Sequence, residues 1–250
     1  MSTTASTTVT VTPRHAGEAT PDLLGITLAH RAMLVDLLRL TELAKAVRDR
    51  DVICTPGRAR AISAYIEMLC DSIHHHHTTE DEVLWPVIQA SVGSHVDLSE
   101  LTDDHAALEP RLTQLRARAA AFRLSVGDRQ VAFVMAIELA ELLALLTGHI
   151  NDEELEVFPL ITEHVSVSDW EGVEAAARGG SKASFDLPRS MSVMTDDERV
   201  RMTQTFGIGA RAMFAVLRLR HQRFDRKVFG GTRMPMTPPA SIYEVPGLIG

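Results

Sequence analysis

The stretch Ile73-His74-His75-His76-His77-Thr78-Thr79-Glu80-Asp81-Glu82-Val83-Leu84-Trp85-Pro86 decides how this chain is read. Apolar residues lead into it as Ile62, Ile66, Leu69 and Ile73 and leave it as Val83 and Val87. Steps that alternate between three and four residues mark the inward seam of a helix packed in a bundle. His76 and Glu80 stand on that seam, where aliphatic side chains belong, about 6 Å apart along the axis. If they are buried there, they must be paired, protonated or bound to something. His74 and His75 face the opposite side and are assigned no role, and His77 lies at the flank.

The pattern recurs in His149-Ile150-Asn151-Asp152-Glu153-Glu154-Leu155-Glu156-Val157-Phe158-Pro159. Its seam runs Met135, Leu139, Leu142, Leu146, His149, Glu153, Val157 and Leu160, again with His and Glu in apolar places. Two more histidines obey the rule: His30 within Leu23, Ile26, Met33, Leu37 and Leu40, and His105 within Leu98, Leu101, Leu108, Leu112 and Leu115. Four predicted helices therefore each carry one seam histidine.

The start signals Thr20-Pro21-Asp22 and Thr55-Pro56, the turn at Ser91-Val92-Gly93-Ser94 and the break at Ser125-Val126-Gly127-Asp128 divide residues 21–165 into these four helices. The second is expected to kink or loosen at Pro86, and the third to bend at Pro110. Short connections force antiparallel neighbours, so the fold class is all-α, an up-down-up-down four-helix bundle. His30 precedes the His76 motif by nearly the interval that separates His105 from the His149 motif, which suggests two similar hairpins facing each other.

Composition agrees: 45% of residues are apolar, only 5% are aromatic, and there are two cysteines, read as reduced thiols. A formal charge of -8 argues against general nucleic-acid binding through the whole surface. No transmembrane segment is expected, because the apolar run Ile137 to Leu146 is interrupted by Glu138 and Glu141. Residues 1–20 lack the basic start and apolar core of a secretory signal and read as a disordered arm, so a cytoplasmic location is expected. Residues 166–250 read as a C-terminal helical extension and irregular tail. A short helix opens near Ser168, and a second carries Arg211, Arg218, Arg220, Arg223, Arg226 and Lys227 against Asp225 alone. That run is read as the solvated face of a helix docked on the acidic bundle.

Four imidazoles and two carboxylates at matching heights point to a pair of metal ions, iron being the first choice. Ferritin-type bundles use Glu-x-x-His instead. The order His-x-x-x-Glu before an aromatic-Pro pair, found twice, with a histidine on each of four helices, resembles the hemerythrin-like, or HHE cation-binding, domain. The resemblance covers about residues 21 to 165. It implies a non-heme di-iron centre with an oxo or hydroxo bridge, His30, His76, His105 and His149 as terminal ligands, and Glu80 and Glu153 bridging or capping. It also implies that Asp81 and Glu154 support imidazole N–H groups or face water. Oxygen-carrying members have a second histidine one turn after the one on the third helix, where this chain has Glu109. Either Glu109 coordinates, or a position stays open to water, or His77 compensates; each is read as an oxygen-richer site, unsuited to simple oxygen transport. The function expected is binding or sensing of dioxygen, peroxide, nitric oxide or iron. The alternative is a di-iron enzyme that consumes peroxide in a catalase- or peroxidase-like way. The protein partner is left open.

Overall fold

The computed structural model describes residues 9–93, 96–205 and 208–230. Every regular element among them is helical. The tail around Pro235, Pro238, Pro239 and Pro246, the first eight residues, Ser94, Phe206, Gly207 and the side chains of Thr203, Ile208 and Ala210 lie outside the described residues.

Four long stretches carry the seam histidines: α1 (Leu24–Asp49), α2 (Pro56–Thr79) with its continuation α3 (Trp85–Val92), α4 (Ser99–Leu124) and α5 (Arg129–His164). Cross-helix contacts give their directions. Arg129 donates to the carbonyl of Arg48 while His30 meets Glu154, so α1 and α5 run oppositely. Arg116 meets Asp71 while His105 meets Asp81, and Arg118 meets Glu138 while His105 meets His149, so α4 opposes both α2 and α5.

The helix starts are local chemistry. The Thr55 hydroxyl accepts from the Arg58 N–H and Pro56 fills the first helical position. Helix α1 begins later than Thr20-Pro21-Asp22 promised, with Asp22 Oδ1 accepting from the Leu24 N–H. At the head of α5, Asp128 Oδ1 accepts from the N–H groups of Gln130 and Val131. Asp128→Ala should therefore cost about 1 kcal/mol, read as a lower urea midpoint at unchanged slope.

Between α2 and α3 the chain widens into a π-turn, Glu80–Leu84, in which the Trp85 N–H donates to the Glu80 carbonyl five residues back. The looser turn expected near Pro86 thus lies ahead of the proline. Pro86 has no N–H for the carbonyl four residues before it, and the wider turn accommodates one extra residue. The inward seam consequently slips from Val83 to Leu84 and Ile88, which are 1% and 0% exposed.

Two apolar clusters stack along the bundle. The larger holds Leu37, Leu40, Ile66, Leu69, Leu112, Leu115, Leu139 and Leu146. The smaller holds Leu84, Trp85, Ile88, Leu101, Val157 and Ile161. The polar seam residues form the layer between them. By length and composition α5 is the one described helix that could cross a membrane, with a mean hydropathy of 2.0 over an 18-residue window. The interrupting Glu138 and Glu141 are too few to lower that window, and in this fold α5 packs between α1 and α4.

The remaining third is α6 (Val167–Gly180), α7 (Ala183–Ser192), α8 (Asp196–Thr205) and α9 (Ile208–Phe229). Trp170 is buried in the smaller cluster and donates its indole N–H to the Asp22 carbonyl. Helix α7 was not foreseen, since Pro188 inside a ten-residue segment hides it. Helix α7 packs on α1 and on α9, and α9 on α2. Tyr65 of α2 meets Phe185, Phe224 and Phe229 at ring-centroid distances of 5.1, 5.6 and 5.3 Å. These contacts that dock α9 are apolar, and Asp225 pairs with Arg39 of α1, an acid of the extension on a base of the bundle. Arg220, Arg223, Arg226 and Lys227 stay exposed.

Residues 9–20 correct the expectation of a disordered arm. The Thr12 N–H donates to Asp169, Arg14 donates to the Val165 carbonyl, and Glu18 accepts from the Val167 N–H, while Val9 and Val11 pack on the smaller cluster.

Candidate metal centre

The seam periodicity brings His30 from α1, His76 from α2, Glu80 from the π-turn, His105 from α4, and His149 and Glu153 from α5 into one layer. All but His76 are at least nine-tenths buried. His76 is 14% exposed, and it lines a cleft that is partly open to solvent. His77 joins them, its ring 4.4 Å from that of His105 and 5.2 Å from that of His149. Successive helical residues point about 100° apart, so His76 reaches towards α1 while its neighbour reaches towards α4 and α5.

The donors fall into two groups whose ligand atoms lie within 4.8 Å of one another: His30, His76, Glu80 and Glu153, and His77, Glu80, His105 and His149. Glu80 belongs to both. Its Oε1 is 2.8 Å from His76 Nε2 and its Oε2 is 3.6 Å from His105 Nε2. Glu153 Oε2 lies 3.4 Å from His30 Nε2 and 3.9 Å from His149 Nε2.

The outward nitrogens decide what the inward ones offer. His30 Nδ1 meets Glu154 at 2.8 Å, His105 Nδ1 meets Asp81 at 2.9 Å, and His149 Nδ1 meets Asp104 at 3.3 Å. A carboxylate there accepts a hydrogen bond from Nδ1–H, which keeps the proton on Nδ1 and leaves Nε2 with a free lone pair. His105 and His149 then point two lone pairs at each other across 3.0 Å, and the Nε2 atoms of His30 and His76 stand at the same separation. Two lone pairs at that distance repel unless a cation lies between them. Imidazoles bound at about 2.1 Å and at right angles on one ion stand about 3 Å apart.

Unsatisfied atoms say the same. No hydrogen bond reaches His77 Nε2 or any carboxylate oxygen of Glu80 and Glu153. Stranding such groups in an apolar bundle costs several kcal/mol each. Burial pushes the Glu80 carboxyl well above the usual range. Burial and the neighbouring Glu80 charge do the same to Glu153. Burial drives His76 and His149 down to about 4 and pushes His77 well below its ordinary value. Without an ion His76, His77 and His149 therefore stay neutral and the two carboxyls keep their protons; cations would leave these imidazoles neutral and draw the protons off the carboxyls. The donor set fits a pair of transition-metal ions.

One expected ligand is corrected. Glu109 is 53% exposed and pairs at 2.9 Å with His74 on the surface. Leu108, 1% exposed, fills the interior at that turn of α4 and turns Glu109 outward. His77 takes up the inward volume instead, so the donor set is richer in nitrogen than the sequence reading supposed. Asp104 went unnoticed as a support for His149, and its place just before His105 was the available signal. His75, given no role, has its Nε2 2.8 Å from the Ala177 carbonyl of α6.

No curated protein and no solved structure matches the chain. Among models of known families, Hemerythrin HHE cation binding domain matches residues 25–161, a span that holds every member of the layer. More than half of the chain, carrying a buried histidine-glutamate layer with the donors for cations, belongs to the hemerythrin HHE cation-binding family.

Proposed function

We propose that α1, α2 with α3, α4 and α5 act as an up-down-up-down bundle that holds two iron ions and binds or senses a small ligand: dioxygen, peroxide or nitric oxide. The observation behind this reading is the pair of donor groups sharing Glu80. When bound, two adjacent iron ions supply Lewis acidity and electrons to such a ligand. The chain's own residues do the rest. His30 and His76 with Glu153 would hold one ion, His77, His105 and His149 would hold the other, and Glu80 would serve both groups. Glu154, Asp81 and Asp104 orient three of the imidazoles through Nδ1. The apolar clusters on either side shield the layer along the bundle axis, which strengthens the charge interactions within it.

Metal analysis with an absorption spectrum of the freshly purified protein tests the reading. About two irons per chain with near-ultraviolet charge-transfer bands are expected; one iron or none overturns it. His77→Ala should lower the content to about one iron per chain, since it strips a donor from one group alone. Peroxide consumption separates binding from the alternative of a peroxide-consuming enzyme. Turnover by iron-loaded protein that vanishes in His76→Ala supports the enzyme, and a spectral change without turnover supports binding.

A further inference from the structure

The C-terminal extension builds something the bundle lacks. Between α1 and α2 on one side and α6 and α7 on the other lies a cavity of about 490 Å3. Its walls include Leu28 of α1, Trp170 and Val173 of α6, and Leu187 and Met191 of α7, and its floor includes His76 and Glu80. His76, 14% exposed, lines this space beside Glu80. Asp22, Glu174 and Arg178 also border it.

A diatomic ligand needs no such room: one water takes up about 30 Å3, whereas pockets for organic ligands run from about 300 to 1,000 Å3. Methionine and leucine walls favour a flexible apolar body over a polar one. At the floor, the Thr79 hydroxyl already donates to the His75 carbonyl, and Glu80 is claimed by the metal layer. Higher on the wall Arg178 pairs with Glu174 at 3.3 Å, and at the floor the target for an oxygen head group would be a cation held by His76 and Glu80.

We propose that this cavity binds an aliphatic molecule ending in an oxygen head group, with the chain against α6 and α7 and the head at the His76 and Glu80 end. The proposal rests on the metal reading above for its head group only. Helices α6 and α7 then act as the wall of a binding site that opens onto the metal layer.

The test uses the full chain loaded with cobalt(II), whose absorption bands report a new ligand, titrated with hexanoate, octanoate and decanoate. Each added methylene should tighten binding about fourfold, and the bands should shift on saturation. Leu187→Trp and Met191→Trp fill the cavity from α7, away from the donors. Each should weaken decanoate at least about tenfold with cobalt content and helical circular dichroism unchanged. Equal affinity along the series, or decanoate binding untouched by both variants that remain folded, overturns the proposal. If the chain takes up no cobalt, the metal reading and the head-group placement both fail. Calorimetry of the metal-free chain with 1-hexanol and 1-octanol then judges the cavity. The same chain-length and variant dependence keeps the aliphatic site, and its absence removes that too.

Discussion

Glu80→Gln should release both metal ions, lowering affinity by more than the roughly 10–100-fold seen when an outer partner of a ligand is removed. Glu80 is the donor common to the two groups, and an amide supplies neither its charge nor its second lone-pair oxygen. Glutamine matches the buried volume, so a folded but metal-poor protein is expected, read by metal analysis beside circular dichroism. Glu154→Gln and Asp104→Asn, which touch only Nδ1 atoms, should stay within that 10–100-fold range. If Glu80→Gln kept two ions per chain, the shared carboxylate would be the wrong description.

The same layer fixes how metal uptake responds to pH. Glu80 and Glu153 have carboxyls raised by burial, so in the ion-free protein they keep protons well above the ordinary carboxylate range. His76 and His149 are depressed to about 4 and are already neutral over most of that interval. Binding must therefore expel the carboxyl protons rather than protons on His76 or His149, and should tighten as pH rises through the glutamate transitions. Calorimetry in two buffers of different ionisation enthalpy should show up to two protons released per chain loaded. The sign for stability follows from the same shifts. In the ion-free protein the raised carboxyls favour folding most below about pH 4.5, and that contribution is lost as pH climbs through their folded values. Chelation should thus destabilise the fold most at neutral and alkaline pH, where the carboxyls have most to lose, read as a fall in Tm that grows with pH.

The seam rule located His30, His76, Glu80, His105, His149 and Glu153 because helical periodicity alone decides which residues share a face. It could not choose between His77 and Glu109. Both lie one position off a seam, and the choice depends on tertiary placement: α2 approaches α4 and α5 closely enough for His77 to stack near His105, while Leu108 occupies the interior beside Glu109. The π-turn was legible only as a disturbance near Pro86, since local sequence says that a proline must break the hydrogen-bond ladder but not on which side the slack is taken up. Least legible was the extension. The residues that dock α9, Phe224, Val228 and Phe229, sit among arginines, and the run was read by its charge. Helix α7 joins the bundle through Arg189 and the single buried aromatic Phe185, too few positions in ten residues for period counting to find.

Arg189→Met should destabilise the protein by about 3–5 kcal/mol, read in denaturant unfolding, while leaving the metal content near that of the parent. Arg189 is 3% exposed on α7, donates to Asp36 of α1, and reaches Asp186 at 3.0 Å and Ser72 of α2 at 3.2 Å. Asp36 also accepts from the Tyr65 hydroxyl at 2.8 Å and lies 3.5 Å from Arg39. Removing the guanidinium leaves a carboxylate 3% exposed with one long ion pair in place of a direct one, the arrangement that costs most when a buried pair is broken. The double change Asp36→Leu with Arg189→Met removes both charges and should recover much of the loss, because two apolar side chains need no counter-ion. Arg189 binds α7 to α1 and α2, and α7 forms one wall of the cavity above His76. The single variant should therefore weaken decanoate binding without emptying the metal layer, whose donors all come from the bundle. A variant that lost its metal as readily as Glu80→Gln would mean that the extension holds the donors in place, and that bundle and extension fold as one unit.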